Sequence, residues 1–161
     1  MSMANSGFEI RNATMDDIDE IQEITHAAFL KYVELAGIQG DIAALTETAD
    51  DVRHDIENHM VLVAYINGRV VGSVRVKRMS NDVAYLYRFG VHPNFQNLGI
   101  GKALMNLVDI NMKVRGFKQL QLHTGAKIKP LVIFYYGRGF YIDSTNKDRG
   151  YIRALLCKDY K

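Results

Sequence analysis

The segment Gly90-Val91-His92-Pro93-Asn94-Phe95-Gln96-Asn97-Leu98-Gly99-Ile100-Gly101-Lys102-Ala103 constrains the fold more than any other part of the chain. A strand-like run ends at Gly90-Val91 and a loop carrying Gly99 and Gly101 follows. From residue 99 to about 115, Leu104, Leu107, Val108 and Met112 recur at helical spacing. Such a strand, loop and helix set the free amides of the helix start at the strand end, where the macrodipole favours negative charge and glycine lets a ligand approach the backbone. That is the construction of an anion site, although Gly99 and Gly101 alone also serve a tight turn. Two phosphate motifs fail on the residues that do the chemistry. A P-loop needs glycine where Gln96 stands and Ser or Thr where Ala103 stands. A dinucleotide fingerprint needs glycine or alanine where Leu104 stands.

Upstream, residues 60–66, 70–79 and 83–91 read as three strands joined by Asn67-Gly68 and Ser80-Asn81-Asp82, an antiparallel meander with a hairpin dipeptide at its first turn. Residues 8–11 alternate as a first strand. Thr14 opens a helix with Ile18, Ile21, Ile24, Ala28 and Phe29 on one face, and an acidic helix at 48–58 turns Val52 and Ile56 inward. Gly116 stops the helix after the loop; 119–124 reads as a strand, 131–137 as a helix, and 140–143 and 151–157 as closing strands. The order predicts an α/β (α+β) fold with a central mixed, mostly antiparallel sheet of about seven strands flanked by about four helices. No repeat or linker divides the 161 residues, so one domain over 1–161 is expected.

Charge is divided along the chain. Residues 1–59 carry 3 basic and 13 acidic side chains, net −10; residues 60–161 carry 17 basic and 5 acidic ones, net +12. The sum of +2 and the dispersal of Lys and Arg argue against a nucleic-acid binder, and the split marks two differently charged surfaces of one fold. A single cysteine, Cys157, excludes an internal disulfide framework and a thiolate zinc cluster, and it reads as a packing residue. The longest apolar run, residues 60–66, is far short of the ~20 residues of a membrane helix, and the start shows no signal-peptide pattern. A soluble, cytoplasmic protein without membrane association is expected.

Gln96, Gly99 and Gly101, preceded by Val91-His92-Pro93, resemble the acyl-coenzyme A motif of the GNAT superfamily of N-acetyltransferases. Downstream, Phe134-Tyr135-Tyr136-Gly137-Arg138-Gly139-Phe140 is similar to the family's Phe-Tyr-x-x-x-Gly-Phe element, and the predicted strand order matches its core. The resemblance implies acetyl-CoA as cosubstrate, with no metal, and an amine acceptor. It places the pyrophosphate on the amides of Gln96, Asn97, Leu98, Gly99, Ile100, Gly101 and Lys102. The pantetheine arm then lies between the strand ending at Val91 and the strand at 119–124, where amides around Phe89, Gly90 and Val91 hold the coenzyme and the thioester carbonyl. It also implies direct transfer in a ternary complex, and a homodimer is possible because dimers are common in the family.

Tyr135 matches the family tyrosine beside the coenzyme sulfur, a general acid for the departing thiolate; its bland role is a core aromatic. The strand 83–91 carries no carboxylate, which excludes the glutamate base many members use there. His123 is a candidate base or water relay, a structural histidine is the other reading, and water chains through Tyr85 or Tyr87 remain open. A non-catalytic or regulatory acyl-CoA-binding module is the alternative function. The segment 29–46 is expected to border the acceptor; Glu47 beside it either faces the acceptor or, the reading preferred here, is a solvated acid at a helix start. An acidic rim there would attract a cationic amine.

Overall fold

In the computed structural model, which describes residues 7–40 and 42–161, the three-strand meander forms β2 (Met60–Ile66), β3 (Arg69–Arg78) and β4 (Val83–Val91). Before it come β1 (Glu9–Asn12), α1 (Ile18–Ala36) and α2 (Ala49–Asn58). After it come α3 (Ile100–Val114), β5 (Gln119–Gly125), α4 (Lys129–Gly137), β6 (Tyr141–Asn146) and β7 (Arg153–Asp159). Residues 1–6, part of the start read as lacking a signal peptide, and Asp41, in the expected acceptor segment, lie outside the described residues.

The seven strands make one sheet in the order β1-β2-β3-β4-β5-β7-β6. Every neighbouring pair is antiparallel except β4 with β5, which α3 joins as a crossover. The mixed, mostly antiparallel sheet with four helices is therefore the one the residue pattern predicts. At the β2–β3 turn Asn67 and Gly68 both hold positive φ, 50° and 80°, as a tight hairpin of matching twist requires.

The two faces of the sheet bury separate clusters. On one, α3 packs Ile100, Leu104, Met105, Val108 and Met112 against Leu62, Val74, Leu86, Leu120 and Leu156. On the other, Ile18, Ile21 and Ile24 of α1 and Val52 of α2 meet Val61, Val63 and Val70. Ala28 and Phe29, expected on the same apolar stripe of α1, are only half-buried because they line a cleft instead.

Boundaries move for local reasons. The chain after Thr14 makes one 3-10 turn, Met15–Asp17, before α1 begins; buried Asp17 accepts the Thr14 amide at 2.8 Å and binds Arg11 at 2.6 and 3.0 Å. Helix α4 starts at Lys129, two residues before the expected 131, because Pro130 fits a first helical turn, where no amide is needed. The Phe140 amide closes that helix on the Tyr135 carbonyl at 3.1 Å, which delays β6 to Tyr141. Cys157 is buried in β7 as expected. Among the described residues no helix is long and apolar enough to cross a membrane.

Candidate active site

Strands β4 and β5 pair at Val83–Gln119, Ala84–Leu120 and Tyr85–Gln121, and there the pairing ends. Beyond that point β4 continues beside β3 as far as Val91–Gly72, while β5 follows β7 as far as Gly125–Arg153. The two strands part from Leu86 onward. A register shift opposite Ser73 and Arg75 puts an extra residue into β4, and Arg88 takes φ of 50° there, a bulge that bends the strand at the gap. A cleft of about 1560 Å³ opens at this gap. Ordinary small-molecule pockets hold ~300–1,000 Å³, so there is room for a large ligand and a second one. Gly90 lets α1 press on this edge, since a Cβ there would stand 2.8 Å from the Ala28 Cβ.

Past the end of β4, the Gln96 side chain donates to the Val91 carbonyl at 3.0 Å and holds the loop to the strand. Asn97 and Gly99 take left-handed φ, 64° and 82°, and Gly99 is the N-cap of α3. The Ala103 amide donates to the Gly99 carbonyl at 3.0 Å, which leaves the amides of Ile100, Gly101 and Lys102 ahead of the first helical bond. Gly101 lets Phe89 pack closely: a Cβ would stand 3.2 Å from Phe89 Cζ, tighter than most such contacts. Phe89, Gly90, Val91, Gln96, Asn97, Gly99, Ile100, Gly101 and Lys102 all line the cleft, whereas Leu98 does not and its side chain is exposed.

Tyr135 on α4 and His123 on β5 line the same cleft. The Tyr135 ring is buried among Phe89, Phe134 and Phe140, and burial pushes its phenol well above the usual range, so it stays protonated and has a proton to donate at neutral pH. His123 Nδ1 lies 2.6 Å from the Tyr85 hydroxyl. Burial, then the nearby charges of Arg153 and Arg149, push the imidazole below its ordinary 6.5, so it is neutral at pH 7 and can take up a proton. Tyr85 is raised by burial and stays a phenol.

The expectation of a solvated Glu47 is wrong. Its side chain is 6% exposed and grips Arg75, itself 0% exposed, at 2.6 and 2.7 Å, and it accepts from Arg88 Nε at 3.1 Å. Arg75 also binds Asp55 at 2.9 Å. Desolvating a guanidinium this fully is costly unless carboxylates surround it, and here two do. The network ties the segment before α2 to β3 and fixes the bulged Arg88. It also consumes part of the charge division, because Glu47, Asp55 and Glu23 of the acidic half pair with Arg75, Arg88 and Arg69 of the basic half.

Against known proteins, the Acetyltransferase (GNAT) family matches residues 19–156. The chain belongs to the GNAT family. This GNAT chain is 26% identical over 160 residues to a mycothiol acetyltransferase of Propionibacterium freudenreichii, covering 92% of this chain and 47% of that protein. It is 28% identical over 159 residues to an uncharacterized N-acetyltransferase of Methanocaldococcus jannaschii, covering 92% and 66%. The chain thus spans between about half and two thirds of the length of these relatives. In fold it is similar to the PaiA N-acetyltransferase of Thermoplasma acidophilum, solved in complex with coenzyme A, with a TM-score of 0.83, 22% identity, and coverage of 99% and 100%.

Several residues at the cleft of this GNAT chain escaped the sequence reading. The Tyr32 and Tyr151 hydroxyls meet at 3.0 Å, joining α1 to the β6–β7 loop over a separation of 119 residues that no local pattern encodes. Arg75 did leave a signal, a lone charge inside the apolar run of residues 70–76. Among the described residues, His54, Asp55 and His59 bring metal-ligand atoms within 4.8 Å of one another, but Arg75 already holds Asp55 and its charge opposes a cation there.

Proposed function

We propose that this chain transfers an acetyl group from acetyl-CoA to the amine of an acceptor by direct attack in a ternary complex. The observation that carries the reading is the parting of β4 from β5 after Tyr85, in a cleft whose far wall is the amide-rich start of α3. Pyrophosphate would rest on the amides between Gln96 and Lys102, where unpaired N–H groups and the helix dipole favour negative charge. Unpaired β4 amides around Phe89, Gly90 and Val91 would hold pantetheine and the thioester carbonyl, and stabilise the charge that builds on its oxygen.

Three demands remain: a neutral amine, a proton sink and a proton for the thiolate. A primary amine has a reference pKa of ~10.4 and is mostly protonated at neutral pH. Neutral His123 is the sink: the amine proton passes to the Tyr85 oxygen, directly or through water, as the phenol's own proton moves to Nδ1. The protonated Tyr135 donates to the departing sulfur.

Because β4 carries no carboxylate, a coenzyme-binding module without turnover is the second reading. Incubation with acetyl-CoA and a panel of amines, with thiol release followed, separates the two. Turnover supports the transferase; tight coenzyme binding without turnover on any acceptor supports the module.

A further inference from the structure

The sheet places a row of polar side chains across four strands at the cleft. Lys77 on β3 stands opposite Tyr85 on β4, and its ammonium lies over the rings of Tyr85 and Tyr87 at 5.7 and 5.1 Å. Tyr85 bonds His123 on β5, which stands opposite Leu155 on β7. Two residues along β7 is Arg153, and the period-two alternation of strands puts its side chain on the same face. Arg149, from the β6–β7 loop, lines the same wall.

The charges of this row are poorly matched. Lys77 and Arg149 have no ion-pair partner among the described residues. Arg153 is 11% exposed, its Nε is buried without a hydrogen bond, and its one carboxylate contact, Asp148, is exposed and 3.5 Å away. A charge-assisted bond spans ~2.7–2.9 Å, so the fork of Arg153 is almost unused. Of the acids on the cleft wall, Glu47 and Asp55 are held by Arg75 and Arg88, whereas exposed Asp51 caps the start of α2 and keeps its charge.

We infer that the acceptor is an amine bearing its own carboxylate, with Arg153 as the fork that receives the carboxylate and Arg149 and Lys77 beside it. A planar guanidinium whose Nη donors meet only a distant carboxylate can take the two oxygens of a ligand carboxylate, and the neighbouring cations repel a polyamine. This replaces the expected preference for cationic amines, because Glu47 and Asp55, the inward acids of the cleft wall, are already paired with Arg75 and Arg88. The inference rests on the transferase reading above. The depressed titration of His123 is consistent with the same unmatched cations.

The test measures thiol release with free amino acids, their C-terminal amides, a polyamine, and peptides with an acidic or a neutral residue after the N-terminus. Carboxylate-bearing acceptors should be preferred. Turnover of free amino acids or of acidic peptides identifies which source supplies the carboxylate. Arg153→Gln should raise the acceptor KM about tenfold or more and leave the acetyl-CoA KM unchanged. Arg149→Gln, at an exposed position, should raise it by less. Equal or better use of amides or polyamine, an unchanged acceptor KM in both variants, or acetyl-CoA binding with no carboxylate compound accepted overturns the inference and leaves the coenzyme site standing. Failure to bind acetyl-CoA removes the transferase reading and this inference with it.

Discussion

The Tyr85 hydroxyl and His123 Nδ1 lie 2.6 Å apart, joining the last paired residue of β4 to a residue of β5 two positions beyond the end of the pairing. The last parallel partner of Tyr85 is Gln121, so the side-chain bond takes over where the backbone ladder stops. It holds an imidazole that burial and the arginines of the β6–β7 region keep neutral, with exposed Asp148 acting weakly the other way.

Because the pKa of His123 is lowered, the neutral, proton-accepting form persists below pH 6.5 and the acid limb of kcat should lie below that value. Removing a positive neighbour should move it back. Arg153→Gln is expected to shift the acid limb to higher pH, and His123→Ala to lower kcat by about 10²-fold or more. A pH–rate profile on both variants checks this; an unmoved limb in Arg153→Gln rejects the coupling.

Tyr135→Phe removes a donor while leaving the ring packed among Phe89, Phe134 and Phe140. Turnover should fall about 10²-fold, with acetyl-CoA affinity nearly intact. Steady-state kinetics beside equilibrium titration distinguish this from lost binding, and an unaltered rate removes the general-acid role.

Gly101→Glu should abolish coenzyme binding, since the side chain starts 3.2 Å from Phe89 and brings a negative charge to the anion site. Gly99→Glu should do the same with added strain, because Gly99 holds φ of 82°. Calorimetric titration with coenzyme A is the check, and wild-type affinity in both would end the phosphate-loop assignment.

Glu47→Ala leaves Arg88 without its carboxylate and the wholly buried Arg75 with Asp55 alone. A loss of about 3–5 kcal/mol in unfolding free energy is expected, measured by denaturant titration. A loss under ~1 kcal/mol would mean that the network adds no more than an exposed pair.

The parts of this fold that repeat or punctuate the chain were legible in its residues. Alternation and the Asn67-Gly68 turn marked the meander, and Gly99, Gly101 and the apolar spacing of α3 marked the loop and helix. Ends shifted where a single contact decides them, as Pro130 does for α4. The network around Arg75 was not read because its partners lie 28 and 20 residues away, and a carboxylate before a helix looks the same in sequence whether solvated or buried. Nor does any local pattern encode the bulge that turns Arg88 to positive φ, which depends on how β3 and β4 register.

A crystal structure with coenzyme A bound decides whether coenzyme occupies the gap between β4 and β5. Pantetheine is expected between the two strands past Tyr85, pyrophosphate oxygens on amides between Gln96 and Lys102, and the thiol beside the Tyr135 hydroxyl. Coenzyme bound elsewhere, or a gap closed by continued pairing of β4 with β5, would contradict it.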